Sequence, residues 1–221
     1  MSGIDGEHGG EHGHPHPGVE GDGDSGYYAR RAQAIEALLV EKGIVTSEQI
    51  QRMLESVESK SPADGARIVA RAWADPGFKS RLLADPEAAL GELGYKLPAT
   101  TPKLAVVENT DRERYMVVCT LCSCYPRVLL GRPPDWYKSL AYRSRAVAKP
   151  REVLREFGLQ LDDSVEVRVL DSTADMRFLV LPQRPQGTQG MGEEELAALV
   201  TRDSMIGVTD ALSPLPAAAA D

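Results

Sequence analysis

Apolar residues recur along this chain with two different periods, and the change falls at Leu97-Pro98. Before it the spacing is helical. Ile35, Leu38 and Leu39 share one face, and Gly43 is placed to end that helix. Thr46 and Gln49 have the spacing of a capping box, and Ile50, Met53, Leu54 and Val57 form the apolar stripe behind it. A third helix is predicted over 62–74. Asp75-Pro76 and Asp85-Pro86 each read as an N-cap followed by proline at the first helical position. Residues 27–94 are thus predicted as several short helices.

After Pro98 the period shortens. Leu104-Ala105-Val106-Val107 and Tyr115-Met116-Val117-Val118 read as strands joined by a polar turn over 109–114. Val165 to Leu170 alternates apolar and polar residues as a half-buried strand does, and Arg177 to Leu181 is its expected partner. Short helices are expected at Asp135–Leu140, Pro150–Phe157 and Glu193–Val200, the last with acids in its first turn. Helices first and strands with interspersed helices afterwards give an α+β fold.

Charge and composition bound the ends. Residues 1–26 hold nine glycines, the four histidines His8, His12, His14 and His16, six acids and no lysine or arginine. Such a segment buries too little apolar surface to offset its ordering entropy, so 1–26 is expected as a disordered tail. His12, His14 and His16 alternate along it and could hold a divalent metal loosely. The Pro/Ala-rich 214–221 is expected to fray. The net charge is −8, and six of the acids lie in the tail, so the rest is close to neutral and nothing points to nucleic acid. No apolar run approaches a membrane span, and no basic region followed by an apolar stretch marks a secretory signal. Three clustered thiols suit a reducing compartment, so a cytoplasmic protein is expected.

Those thiols are the whole cysteine content, Cys119, Cys122 and Cys124, in one run Cys-x-x-Cys-x-Cys fed by Val117-Val118 and closed by Pro126. Three cannot all pair within one chain. Structural zinc and four-cysteine iron–sulfur sites want a fourth ligand, and every histidine lies in the tail. The backbone nitrogens of Ser123 and Cys124 are the nearest further donors. Deprotonated, they would make an N2S2 plane with Cys122 and Cys124, capped by Cys119. Anionic amides and thiolates favour a small trivalent ion over zinc, which gains nothing from a ligand field.

The run resembles the metal claw of the nitrile hydratase α subunit. Pro133-Pro134-Asp135-Trp136-Tyr137-Lys138, Tyr142-Arg143-Ser144-Arg145, Val153 to Gly158, and Thr201-Arg202-Asp203-Ser204-Met205-Ile206-Gly207 resemble segments that follow the claw in that family. Ile35 to Gly43 and Ala66 to Asp85 match upstream. The resemblance implies a layered α-β-β-α metal-binding domain over 98–213 and an arm over 27–97 that contacts a partner. The implied activity is hydration of a nitrile to its amide. It implies Co(III), or alternatively Fe(III), one per chain, with Cys122 and Cys124 oxidised to sulfinate and sulfenate and Cys119 left a thiolate. Oxidation lowers sulfur donation and raises the Lewis acidity of the ion. A β subunit is implied as partner, supplying arginines to the oxidised sulfurs, with a metallochaperone or activator besides.

By the same resemblance Thr120 and Tyr125 match the cobalt form of the motif. Asp171 and Arg177 match positions around the claw and could orient it through hydrogen bonds. The attacking oxygen is water-derived or the sulfenate oxygen of Cys124. With no histidine outside the tail, protons would pass through water, Tyr125, Ser123 or a partner's groups. Arg127 departs from the pattern, because nitrile hydratases usually carry tryptophan after the Tyr-Pro. Arginine there is more like the γ subunit of thiocyanate hydrolase, the alternative reading. A second departure is the short stretch Gly94 to Thr100, which lacks the glutamate and glutamine of the family's longer loop. A non-enzymatic metal or redox module is the third reading.

Overall fold

The structure is a computed structural model that describes residues 25–98 and 101–214. The four histidines and nearly all of both tails lie outside the described residues, and so do the expectations made for them. In chain order the elements are α1 (Ser25–Glu41), α2 (Ser47–Glu58), α3 (Pro62–Ala74), α4 (Pro76–Ala84), α5 (Pro86–Glu92), β1 (Lys103–Glu108) and β2 (Glu113–Val118). Then come α6 (Arg127–Leu130), α7 (Asp135–Lys138), α8 (Leu140–Ala148), α9 (Pro150–Glu156), β3 (Glu166–Asp171), β4 (Met176–Leu181), α10 (Glu193–Ala197) and α11 (Arg202–Ile206). The fold is α+β, as expected.

Local chemistry sets the helix starts. Thr46 Oγ1 accepts from the Gln49 amide at 3.1 Å while the Gln49 side chain accepts from the Thr46 amide at 2.8 Å, closing a capping box. Asp75 accepts from Gly77 and Phe78, and Asp85 from Ala88, each with proline next in the chain. The apolar faces of α1 and α2 stay uncovered, with Ile35, Leu38, Met53 and Leu54 exposed. The shared core begins at α3, where Ile68, Val69 and Trp73 are buried with Phe78, Leu82 and Leu90. Trp73 Nε1 donates to the Pro182 carbonyl at 2.8 Å and fastens α3 behind β4.

Strand pairing departs from the expectation. β3 and β4 are not partners: β1 pairs with β4 and β2 with β3, both in parallel. Residues 109–112 and 172–175 are the links between consecutive strands. Links so short cannot return the chain to run parallel beside itself, which takes a crossover of roughly a dozen residues or more. The β2-to-β3 crossover supplies that length and carries α6 to α9. It also brings Val118 and Asp171, the last residues of β2 and β3, into register.

Two helices differ in extent by two residues or more. The one expected over Asp135–Leu140 stops at Lys138, because Ser139 turns extended (ψ 142°) and its hydroxyl caps α8 through the Tyr142 amide. The one expected to reach Val200 ends at Ala197, beyond which Leu199 and Val200 make tighter i→i+3 bonds.

The chain after α11 is tied to β2. Gly207 turns left-handed at φ +89°, and an added Cβ there would lie 2.0 Å from the Tyr115 carbonyl oxygen. Arg114 beside it is buried, donating to the Gly207 carbonyl, to Asp210 at 2.5 Å and to the Thr209 carbonyl.

Candidate metal centre

The claw starts where β2 ends. Rigid strand delivers Cys119 into the interior, where it is 1% exposed, while Cys122 is exposed and Cys124 half-buried. The sulfurs of Cys119 and Cys122 lie 3.5 Å apart and those of Cys122 and Cys124 3.3 Å. These separations are too long for a disulfide, so all three are free thiols, mutually within 4.8 Å. Among the described residues no histidine, carboxylate or further thiol joins them.

Three converged sulfurs with the amides of Ser123 and Cys124 between them fit the donor set of an N2S3 claw, and they lack the fourth side chain of a structural zinc site. In the metal-free chain Cys122 is pushed down to about 7, first by its hydrogen bond with Cys124 and then by that with Cys119. Burial pushes Cys124 up to about 12. Cys122 therefore carries the first negative charge of the cluster.

The loop is held from several sides by groups that bond its backbone. Asp171, level with Val118 across the sheet, accepts from the Thr120 amide at 3.0 Å and from the Thr120 hydroxyl at 2.5 Å. From α8, Arg143 donates to the carbonyls of Cys119 (3.0 Å) and Thr120 (2.6 Å), and Tyr142 to that of Val117 (2.6 Å). From α7, Tyr137 donates to the Cys124 carbonyl at 2.8 Å. Behind them Trp136, Tyr137, Tyr142 and Phe157 pack edge to face, with Trp136 4.7 Å from Phe157 and 4.8 Å from Tyr142 between ring centres. This wall fixes where the phenols point.

The family model for nitrile hydratase, alpha chain, matches residues 26–209. The chain belongs to the nitrile hydratase alpha-chain family. It is 52% identical over 187 residues to the low-molecular weight cobalt-containing nitrile hydratase subunit alpha of Rhodococcus rhodochrous, covering 84% of this chain and 90% of that one. It is 42% identical over 185 residues to the thiocyanate hydrolase subunit gamma of Thiobacillus thioparus, covering 79% and 76% respectively. Among solved structures it superposes with TM-score 0.83 on a double mutant of the Fe-type nitrile hydratase of Comamonas testosteroni Ni1. That match is at 40% identity over 90% of this chain and 98% of the other.

Within this alpha-chain fold the residues singled out from the sequence take four places. Cys119, Cys122, Cys124 and Ser123 share the loop, and Thr120 is bonded to Asp171. Tyr125 turns inward, 3% exposed, its ring 5.3 Å from that of Tyr137. Burial holds its hydroxyl well above the ordinary phenol range, so it keeps its proton. Arg127 opens α6 and is exposed. Arg177 donates to the carbonyls of Thr173, Ala174 and Met176 in the β3–β4 link, and its charge also favours the thiolate form of Cys124.

The residues of the family segments that touch the claw backbone were not separable by pattern. Tyr137 lies in the short helix expected from Asp135, while α8, which carries Tyr142 and Arg143, was not expected as a helix. The aromatic run Trp136-Tyr137 with Tyr142 was the available signal.

Proposed function

We propose that this chain is the metal-binding catalytic subunit of a nitrile hydratase, adding water across a nitrile to give the amide. The observation that carries the reading is the convergence of three free sulfurs, one from each cysteine, in a Cys-x-x-Cys-x-Cys loop on this fold. Cys119, Cys122 and Cys124, with the amide nitrogens of Ser123 and Cys124, would hold one trivalent ion. That ion supplies Lewis acidity toward a nitrile or a water. Cobalt is favoured: the R. rhodochrous relative that is cobalt-containing is 52% identical, against 40% for the Fe-type structure. Cys122 and Cys124 are taken as the oxidised sulfurs, Cys122 being the exposed and more acidic thiol.

The chain's own groups divide the remaining work. Asp171, Arg143 and Tyr137 fix the loop backbone, and Arg177 places positive charge near Cys124. Burial holds the Tyr125 hydroxyl well above the ordinary phenol range, and it has no hydrogen-bond partner among the described residues, so it is a proton-bearing donor left open rather than a base. Proton removal falls to water, to oxygen on Cys124 or to Ser123. The exposed apolar residues of α1 and α2 support a β subunit as partner, with 27–97 as the arm and 98–213 as the claw domain. A metallochaperone or activator would load the ion. Among the described residues no helix is long and apolar enough to cross a membrane, and three free thiols support a cytoplasmic setting.

Arg127 favours one second reading, a subunit resembling the thiocyanate hydrolase gamma chain, in which an exposed cation at the start of α6 attracts an anionic substrate. Elemental analysis of the protein purified with its partner from cells given both cobalt and iron tests the first reading. About one cobalt or iron per chain supports it; zinc, or no metal in an active preparation, refutes it. Parallel assays with nitriles and thiocyanate separate the two substrates.

A further inference from the structure

We propose that Arg143 is a positioning residue for the claw, a planar fork that fixes the peptide units between the first two cysteines. The inference rests on the claw reading above and concerns how the loop keeps its shape. Arg143 spends two N–H groups on consecutive carbonyls, Nε on Cys119 and Nη2 on Thr120. Thr120 is thereby gripped from both sides, its carbonyl by Arg143 and its amide and hydroxyl by Asp171. The Cys119–Thr120 peptide is held by opposed charges, its carbonyl by Arg143 and its N–H by Asp171, and its orientation sets where the chain turns toward Cys122.

Two observations and one point of side-chain chemistry separate this from generic helix-surface packing. Arg143 makes no ion pair among the described residues, whereas its neighbour Arg145 pairs with Glu156. The guanidinium therefore keeps its full charge against the backbone of a loop that gathers thiolates. Between Thr120 and Cys122 the other ties among the described residues are few, the two bonds of Asp171 and one to the Cys119 sulfur. Cys119 is buried at the end of β2, Leu121 is 84% exposed, and the Cys122 amide turns inward to the Cys119 sulfur at 3.3 Å. Finally, lysine cannot replace the fork, since an ammonium offers a point charge and no fixed pair of parallel donors. Groups that bond and orient metal ligands typically govern affinity by 10–100-fold.

The test uses the chain purified with its partner subunit and loaded with cobalt, comparing wild type, R143M, R143K and R145M. The readouts are cobalt release to EDTA, the sulfur-to-cobalt charge-transfer spectrum and thermal melting. R143M and R143K are expected to release cobalt at least about tenfold faster and to shift the spectrum, while R145M stays like wild type. Wild-type release and spectrum in R143K overturn the proposal, including the case where R143M fails to fold. A wild type that holds neither cobalt nor iron refutes the claw reading instead. The grip is then read in the metal-free chain by hydrogen exchange: faster exchange of the Leu121 and Cys122 amides in R143K supports it, and unchanged exchange overturns it.

Discussion

Removing the carboxylate of Asp171 should loosen the claw without unfolding the domain. Asp171 holds two bonds to Thr120, at 3.0 Å from the amide and 2.5 Å from the hydroxyl. Hydrogen bonds to a charged group are each worth roughly 1.5–3 kcal/mol, and solvent screens this exposed carboxylate toward the low end. D171A is therefore expected to cost about 2–3 kcal/mol in holding the loop. A tenfold change in an equilibrium constant is about 1.4 kcal/mol, so this corresponds to a loss of metal affinity of roughly thirtyfold to somewhat over a hundredfold.

The substitution series makes the reasoning sharp. An asparagine in the same place can accept from the Thr120 amide with its oxygen and donate to the Thr120 hydroxyl with its nitrogen. D171N thus keeps both bonds and loses only the charge assistance, roughly half their strength. T120A keeps the amide bond alone. The expected order of cobalt release to a chelator is D171A fastest, T120A and D171N intermediate, wild type slowest, with melting temperatures close together. D171N equal to D171A would show that charge and not bonding geometry matters. Wild-type release from D171A would refute the account altogether.

Two further outcomes are expected. In the reduced, metal-free chain, iodoacetamide at pH 7 should label Cys122 before Cys124, because the thiolate reacts and Cys122 is depressed to about 7 while Cys124 is raised to about 12. Labelling should slow as pH falls below about 7; peptide mapping that finds Cys124 first contradicts the cluster geometry. G207A should destabilise the domain by about 3 kcal/mol or more in denaturant unfolding, since its Cβ would meet the Tyr115 carbonyl at 2.0 Å in a left-handed turn. An unchanged midpoint would show that the chain after α11 is not fastened to β2 as described.

The sequence alone determined whatever depends on near neighbours. Capping pairs such as Thr46 with Gln49, and the Asp-Pro starts of α4 and α5, are local chemistry, and they appear where the spacing placed them. The three thiols are likewise local: they lie within six residues, so their convergence could be read before any fold was known. What tertiary structure decided is the setting of that loop. Alternation marked β3 as a strand, and β4 was expected beside it, but neither showed that they run parallel to β2 and β1. Parallel partners lie a long crossover apart in sequence and leave no turn signature between them. That pairing put Asp171 level with Val118, and the same crossover folded α7 and α8 under the claw so that Tyr137, Tyr142 and Arg143 reach its carbonyls. Contacts of this kind join residues about 13 to 50 positions apart, with no period or spacing to announce them. Only the packed chain brings them together, because each is satisfied by a backbone group whose position the fold, not the local sequence, fixes.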